Sequence, residues 1–255
     1  MRQNSVIMEK ISKAQIKLVR SLQQKKFRDE LGLFVAEGDK CVEELRKGFE
    51  LVFRVQSTDR CADRIQTDTL LASPTEIEQM SGLRTPQGVM AVFRKKPIGD
   101  WKLEIGDLVL ALDGIQDPGN LGTIIRTCDW FGVKDIFCSK DTADCYNPKV
   151  VQATMGALAR VRIHYMDLPA FIAAYNGPIY GTLLDGENMY ATDLRPEGLI
   201  IMGNEGNGIS EEVRKLVTHP IRIPSYPNKE ASDVVESLNV SIATAIVLAE
   251  FYRLR

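Results

Sequence analysis

The chain has 255 residues, and its 32 Lys and Arg against 34 Asp and Glu give a net charge of −2. A hydrophobic share of 44% and a charged share of 26% are typical of a folded globular protein and argue against long disordered regions. No stretch has the length and apolarity of a membrane helix, and the N-terminal residues lack the apolar core of a signal peptide. We therefore expect a cytoplasmic protein of two modest domains that contacts no membrane.

Cysteine and histidine patterns exclude several kinds of chemistry. The five cysteines are odd in number and form no C-x-x-C pair, so we expect neither a metal site nor a disulfide framework. His164 and His219 lie beside apolar, strand-like runs, far from any Ser or Cys nucleophile motif. A structural role is favoured for both.

Charge is distributed unevenly along the chain. Residues 1–97 carry 18 Lys and Arg against 13 Asp and Glu, whereas residues 98–255 carry 14 against 21. Seven basic residues and no acidic one lie between residues 10 and 28: Lys10, Lys13, Lys17, Arg20, Lys25, Lys26 and Arg28. Such a run is typical either of a solvated helix face or of a surface that contacts phosphates.

Helix and strand patterns alternate in the first part of the chain. Ile11, Ala14, Leu18 and Leu22 recur at helical spacing and predict an amphipathic helix over 9–24. A strand at 34–36 follows, and then a helix that ends at Gly48. Two further strands are predicted at LVFRV and GVMAVF. The segment RKKPIGDW then predicts a domain boundary, so we divide the chain into domains at 1–97 and 98–255.

The second domain alternates more regularly. Apolar strands are predicted near LVLALD, DIFC, VRIHY, PIYGTLL, LIIMG and PIRIP. Helices are predicted between them near 120–131, 147–157, 167–175 and 210–217, with a last one over 237–253. Apolar strands that alternate with helices indicate an α/β fold, a parallel sheet with helices on both faces. Ligands of such sheets bind beyond the carboxyl ends of the strands.

Three short motifs in this domain carry polar groups. The first, LDGIQDPGNLGTIIRTCDWFGV, runs from a strand into a helix that begins near Asn120, and it could be an ordinary turn with a capping Asn and a surface Arg126. The second, LIIMGNEGNGIS, encloses Glu205 among glycines, which either form a tight turn or let backbone amides approach a ligand. The third, ESLNVSIATAIVLAEFYR, brings Ser237, Asn239 and Ser241 to a helix N-terminus, more small polar groups than capping requires.

Together the three motifs resemble those of the SPOUT class of methyltransferases, in its TrmH/SpoU branch of RNA ribose 2'-O-methyltransferases. The resemblance covers about residues 106–253. The basic run and the strand after it, KLVRSLQQKKFRDELGLFVAEGDKCVEEL, also resemble the RNA substrate-binding domain of ribosomal RNA members. The resemblance implies S-adenosylmethionine as cofactor, a homodimer, and a C-terminal trefoil knot, which general topology rules would not have suggested.

Site residues follow from the resemblance position by position. The catalytic positions are matched by Asn120, Arg126, Glu205, Ser237 and Asn239. The cofactor-binding positions are matched by Thr182, Leu183, Gly203, Asn204, Ile223 and Leu238. One departure from the family pattern is a loop at 225–236 that is longer than usual, which affects the expected wall of the cofactor pocket. We predict RNA contacts at Lys13, Lys17, Lys25, Lys26 and Arg28.

The predicted reaction moves a methyl group from a sulfonium to a ribose hydroxyl, so a proton must be removed or offset. The resemblance implies this task for Arg126, which either accepts the proton beside an RNA phosphate or stays charged and stabilises the developing alkoxide. We expect ribosomal RNA as the substrate. The alternatives are transfer RNA, methylation of a base nitrogen, and a non-catalytic RNA-binding assembly factor of the same fold.

Overall fold

A computed structural model of the chain describes residues 9–60, 69–97, 107–226 and 237–254. Two compact units share the chain. The first comprises 1–99 with 144–159, and the second comprises 100–143 with 160–255. The division into functional domains at 1–97 and 98–255 stays a prediction, and nothing in the sequence patterns indicated that 144–159 packs with the N-terminal residues.

The first unit is built on a four-stranded sheet with the order β1-β4-β2-β3. β4 runs antiparallel to β1 and β2, and β3 runs parallel to β2. Its elements are α1 (Lys13–Ser21), α2 (Lys25–Leu31), β1 (Leu33–Glu37), α3 (Asp39–Arg46), β2 (Leu51–Ser57), β3 (Thr69–Ala72), α4 (Pro74–Met80), β4 (Val89–Arg94) and α6 (Pro148–Thr154). Of these, α2, β3 and α4 were not predicted.

The first helix is shorter than predicted because a capping box fixes its start. The Ser12 side chain accepts from the Gln15 amide while the Gln15 side chain accepts from the Ser12 amide. Glu9 and Ile11 instead form backbone hydrogen bonds with Leu71 along β3. Ile11 and Leu22 are buried as expected, but Ala14 is exposed.

Segment 144–159 packs against β1 and α3 in this unit. The ring of Tyr146 lies 4.8 Å from that of Phe34, and Cys41 Sγ lies 3.7 Å from the carbonyl oxygen of Val151. This segment lies between β6 and β7 of the second unit, so the polypeptide that completes the first unit comes from within the domain predicted at 98–255.

The second unit is built on a six-stranded parallel sheet with the order β10-β8-β9-β5-β6-β7. Its elements are β5 (Leu108–Asp113), α5 (Pro118–Phe131), β6 (Asp135–Ser139), β7 (Arg162–Met166), α7 (Leu168–Ala173), β8 (Ile179–Asn188), β9 (Gly198–Gly203), α8 (Glu211–Arg214), β10 (His219–Arg222) and α9 (Val240–Arg253). The predicted α/β fold with a parallel sheet is confirmed.

Side-chain alternation along the strands separates two apolar layers. Val109 and Ala111 of β5 pack with Phe171 and Val213, which belong to α7 and α8. On the opposite face the ring of Tyr180 meets that of Phe251 of α9 at 4.8 Å. Helices therefore cover both faces, as predicted.

The predicted trefoil knot would be closed by the chain between β10 and α9. The longer loop predicted at 225–236 belongs to the same segment. Residues 227–236 lie outside the described residues, so the knot and the loop stay predictions. None of the helices in the described ranges is long and apolar enough to cross a membrane.

Candidate active site

The first two motifs are joined by hydrogen bonds where β5 and β9 end side by side. Asp113, the last residue of β5, accepts a hydrogen bond on Oδ2 from the Ser210 amide at 2.7 Å. The next residue, Gly114, has a φ of +73°, a left-handed conformation that favours glycine. Its amide donates to Ser139 Oγ at 2.8 Å. These bonds fix the direction in which the chain leaves β5 towards α5.

The glycine-rich loop after β9 is held closed by Asn204. Asn204 Nδ2 donates to the Gly114 carbonyl oxygen at 2.6 Å, and Oδ1 accepts from the Gly206 and Asn207 amides at 2.9 and 3.0 Å. A Cβ on Gly203 would lie 2.3 Å from the Gly208 carbonyl carbon, so this position requires glycine. Both polar atoms of the Asn204 side chain are therefore hydrogen-bonded within the protein. We keep the predicted cofactor contact of Asn204 only for its backbone groups.

Three predicted catalytic residues form a connected row. Asn120 Nδ2 donates to Glu205 Oε1 at 2.9 Å, and Asn239 Nδ2 donates to Asn120 Oδ1 at 2.9 Å. Each of the three residues comes from a different motif. The sequence motifs, separated by up to 119 residues, therefore meet at one edge of the sheet.

The row has a fixed direction because Asn239 also caps α9. Its Oδ1 accepts from the Ser241 amide at 2.9 Å and from the Ser241 hydroxyl at 2.6 Å, so its amide nitrogen is left to donate to Asn120. Asn239 therefore donates to Asn120, and Asn120 donates to the Glu205 carboxylate, so all hydrogen bonds of the row run in one direction. The alternative interpretation of Asn120 as the cap of α5 does not hold, because Asp117 is the cap, with Oδ1 2.8 Å from the Asn120 amide.

Arg126 lies on α5 apart from this row. It follows Asn120 by six residues, which at 3.6 residues per turn places the two side chains on different sides of the helix. Arg126 is exposed, and its neighbours at helical spacing are Thr123 and Trp130. Within the described ranges its guanidinium forms no ion pair, and it is therefore available to a bound anion. Ser237, the remaining predicted catalytic residue, is also exposed.

The predicted cofactor positions in β8 lie where this strand separates from its neighbours. β8 pairs with β9 only as far as Gly181, and its pairing with β10 resumes at Glu187. The side chain of Thr182 replaces one ladder bond by donating to the Ile201 carbonyl oxygen at 3.0 Å. The backbone of 182–186 therefore lies outside the strand register, at the edge where ligands of parallel sheets bind.

Leu183 in this stretch lines a cavity of about 200 Å³. The other lining residues are Asp185, Arg214, Val217 and Pro220. Of the other predicted cofactor positions, Gly203 ends β9, Ile223 follows β10 and Leu238 precedes α9. The cavity is not purely apolar, because the lining residues Asp185 and Arg214 form an ion pair, and the cofactor contacts of Thr182 and Leu183 stay predictions.

The basic run in the first unit divides into exposed and engaged residues. Lys13, Lys17 and Lys26 are exposed, whereas Lys25 is paired with Asp29 at 2.7 Å. Arg28 is only 1% exposed, and its guanidinium donates to Asp144 Oδ2 at 2.7 and 3.1 Å. Arg28 also donates to two backbone carbonyls. It cannot reach a phosphate from this position, so its predicted RNA contact is withdrawn.

A further basic residue joins the exposed group. Arg20 follows Lys13 and Lys17 at positions i+7 and i+3, so the three side chains lie along one side of α1. α1 contains no acidic residue, and none of the three forms an ion pair with a described residue. Arg20 is not among the RNA contacts predicted from the sequence, although its helical spacing from Lys13 and Lys17 could have indicated it.

His164 has the buried, hydrogen-bonded position expected of a structural residue, whereas His219 is exposed and its structural role stays a prediction. His164 is buried, and its Nε2 lies 2.7 Å from Asp135 Oδ1. Burial alone would raise the pKa of Asp135, but hydrogen bonds from His164 and Arg162 outweigh it and lower the pKa to about 2. His219 lies beside Tyr180, with ring centroids 5.0 Å apart.

Comparison with known proteins identifies the family. Residues 107–249 match the SpoU rRNA methylase family, and residues 13–91 match the MRM3-like substrate-binding domain. The chain belongs to the SpoU rRNA methylase family. The matched residues include the first two motifs and residues 236–249 of the third, and the predicted resemblance is confirmed.

Individual relatives match over nearly the whole chain. The chain is 30% identical to RlmP of Bacillus subtilis, a 23S rRNA guanosine-2'-O-methyltransferase, over 97% of this chain and 98% of the relative. A TrmH-family protein of known structure from Porphyromonas gingivalis is 36% identical, with a TM-score of 0.81 over 96% of this chain and 99% of that one. An AdoMet-bound rRNA methyltransferase from Sinorhizobium meliloti is 30% identical, with a TM-score of 0.80 over 96% and 97%.

Proposed function

We propose that this SpoU-family protein transfers the methyl group of S-adenosylmethionine to a ribose 2'-hydroxyl of ribosomal RNA. The observation that carries the proposal is the row formed by Asn239, Asn120 and Glu205, which brings the three family motifs together at the carboxyl edge of the parallel sheet. The RlmP relative is named for this activity on 23S rRNA, which favours ribosomal over transfer RNA as substrate.

The second unit provides the cofactor site in this proposal. S-adenosylmethionine supplies a methyl group activated by attachment to a positive sulfur. The backbone of 182–186, together with Gly203, Ile223 and Leu238, would hold the adenosine and methionine parts. The S. meliloti structure, similar over 96% of this chain, has AdoMet bound.

Arg126 is the cation of the proposed site. A guanidinium is a positively charged donor with no acceptor atom, and we assign Arg126 the role of a fixed positive charge. It stabilises negative charge as it develops on the ribose oxygen and attracts the neighbouring phosphate. Its freedom from ion pairs with described residues leaves this charge unneutralised.

The first unit supplies RNA affinity through α1. The acidic half of the chain repels a polyanion, whereas the exposed side of α1 carries Lys13, Lys17 and Arg20 with no acidic residue on the helix. Lys26, at the start of α2, is exposed as well and extends this cationic surface. Lys25 contributes less because Asp29 neutralises it. We define the α1 stripe as Lys13, Lys17 and Arg20.

A second copy of the chain covers the outer side of α5 and α9. Trp130 of α5 is 83% exposed, and Leu238 and Ile242, beside and in α9, are 51% and 54% exposed. The two helices pack together, with the rings of Phe131 and Tyr252 5.4 Å apart. Large apolar side chains exposed on adjoining helices are typical of a subunit interface. Arg126, one turn from Trp130, would then lie beside the interface of a cytoplasmic homodimer.

The proposal is tested by incubating the purified chain with ribosomal RNA and S-adenosylmethionine labelled in its methyl group. We expect transfer of label to the RNA, and calorimetric binding of S-adenosylhomocysteine. Transfer RNA in the same assay is the comparison substrate. Cofactor binding with no transfer to RNA from cells lacking the protein would support the non-catalytic assembly factor instead.

A further inference from the structure

The proposed reaction needs a group that takes the proton of the ribose hydroxyl. Among the five predicted catalytic residues, the amides of Asn120 and Asn239 are not basic, and Arg126 already carries a proton. Ser237 would itself need a base. Glu205 is the one whose side chain is a carboxylate, which has two acceptor oxygens and can take up a proton.

The structure holds one carboxylate oxygen of Glu205 and leaves the other open. Oε1 accepts from Asn120 Nδ2 at 2.9 Å. Oε2 has no hydrogen-bond donor among the residues that the structure describes, and the residue is exposed. The loop carrying Glu205 is itself fixed by Asn204, whose side chain bridges it to Gly114. A carboxylate oriented on one side and open on the other is placed to meet a substrate hydroxyl.

We propose that Glu205 is the proton acceptor of the methyl transfer. The ribose 2'-oxygen forms a bond to the methyl carbon as the carbon–sulfur bond breaks, and the electron pair of that bond goes to sulfur, which becomes a neutral thioether. The hydroxyl proton passes to Glu205 Oε2 and is later released to water. Arg126 keeps its proton throughout. This inference rests on the proposed function.

The row of amides supports this role. Asn239 orients Asn120, and the Asn120 N–H holds Glu205 Oε1, which fixes the direction in which Oε2 is presented. Asn120 and Asn239 are therefore positioning residues that act through Glu205. If Glu205 served only to hold Asn120 in place, any side-chain oxygen that accepts a hydrogen bond from Asn120 would be sufficient at this position.

The substitution Glu205→Gln separates the two roles. Its amide oxygen still accepts from Asn120, but it cannot take a proton, whereas Glu205→Ala removes both functions. A proton acceptor contributes about 10²- to 10⁴-fold. We expect kcat to fall at least 100-fold in both variants. Near-normal turnover in Glu205→Gln with a loss confined to Glu205→Ala would overturn the proposal and leave Glu205 as a support for Asn120.

Two binding measurements show whether the variants lose activity only because they bind the cofactor or the RNA more weakly. The dissociation constants for S-adenosylhomocysteine and for ribosomal RNA should stay within about twofold of the wild-type values, since neither requires the proton acceptor. A large rise in either constant for Glu205→Gln, accounting for the loss of turnover, would contradict the assignment.

The pH dependence of the unsubstituted enzyme gives an independent test. With both substrates saturating, kcat should fall on the acid side as one group becomes protonated, and the residual rate of Glu205→Gln should lack this fall. A wild-type kcat that is independent of pH across the acid range in which the protein stays folded would overturn the proposal. Failure of the underlying function is distinguishable, because wild-type enzyme would then transfer no methyl group to ribose.

Discussion

Asn120 and Glu205 are 85 residues apart in the sequence, yet their side chains are joined by a hydrogen bond of 2.9 Å. The bond connects the helix that follows β5 to the loop that follows the neighbouring strand β9. Because adjacent parallel strands deliver their carboxyl ends to one edge, polar residues placed just beyond two such strands meet there. Asn239 then attaches the start of α9 to the same pair.

Substituting Asn239 by Asp tests the direction of this row. The carboxylate of the variant keeps the oxygen that caps α9. It lacks the N–H that donates a hydrogen bond to Asn120 Oδ1, and it places a second oxygen against that atom instead. We expect methyl transfer to fall at least tenfold with the melting temperature retained, as measured by initial rates and by calorimetry.

The matched variant Asn239→Ala removes the cap as well. It should lose about 1 kcal/mol of stability in addition to the activity. If Asn239→Asp transferred methyl groups at the wild-type rate, the donor from Asn239 would be unimportant and the row would serve only to cap α9.

Neutralising the α1 stripe tests the proposed RNA surface. The triple substitution Lys13→Gln, Lys17→Gln and Arg20→Gln should weaken ribosomal RNA binding and lower the slope of log K against log salt by about 2, since each phosphate contact contributes about 0.7–0.9. The affinity for S-adenosylhomocysteine should not change. The slope is measured by filter binding over a series of salt concentrations.

A control triple removes the same charge from exposed cations that are already paired. Lys47, Arg94 and Arg160 have partners in Glu44, Glu50 and Asp129. Replacing these three by Gln should leave the salt slope nearly unchanged. Equal effects of the two triples would mean that net charge, not the α1 stripe, governs RNA affinity.

The buried pair of Arg28 and Asp144 should stabilise the first unit. Asp144→Asn leaves a guanidinium that is 1% exposed without its counter-charge, and breaking such a pair costs about 3–5 kcal/mol. Lys25→Gln, which removes an exposed pair, should cost about 0–1 kcal/mol. We expect Asp144→Asn to lower hydrogen-exchange protection in α2 and α6; unchanged protection would show that the pair contributes little.

Trp130→Glu tests the proposed subunit interface. A charge in the centre of an apolar contact disfavours association, so the variant should shift from dimer to monomer in light scattering. Leu31→Glu is the control, because Leu31 is also an exposed apolar residue, at 42%, but belongs to the first unit and not to α5 or α9. A wild-type protein that is monomeric, or a variant that remains dimeric, would contradict this interface.

Much of the second unit could be predicted from the sequence because its strands are continuous apolar runs between helices. β5 and β9 were expected at LVLALD and LIIMG and lie at Leu108–Asp113 and Gly198–Gly203. The strand β3 and helix α4 were not predicted, since the four residues of β3 are too few to show a period.

Individual side-chain environments could not be predicted in the same way. Arg28 belongs to a uniformly basic run, and its partner Asp144 lies 116 residues away, so no local pattern separates it from its exposed neighbours. The family resemblance named Asn120, Glu205 and Asn239 but gave no direction to their hydrogen bonds. That direction depends on Asn239 capping α9, which is a property of the folded backbone.

Analysis of the methylated nucleoside tests the central claim most directly. Ribosomal RNA treated with the wild-type chain and S-adenosylmethionine is digested to nucleosides, and mass spectrometry assigns the added methyl group to the ribose or the base. We predict a ribose 2'-O-methyl nucleoside at one position, and a rate lowered about 10²- to 10³-fold by Arg126→Ala. A methyl group on the base, or full ribose methylation by Arg126→Ala, would contradict the account.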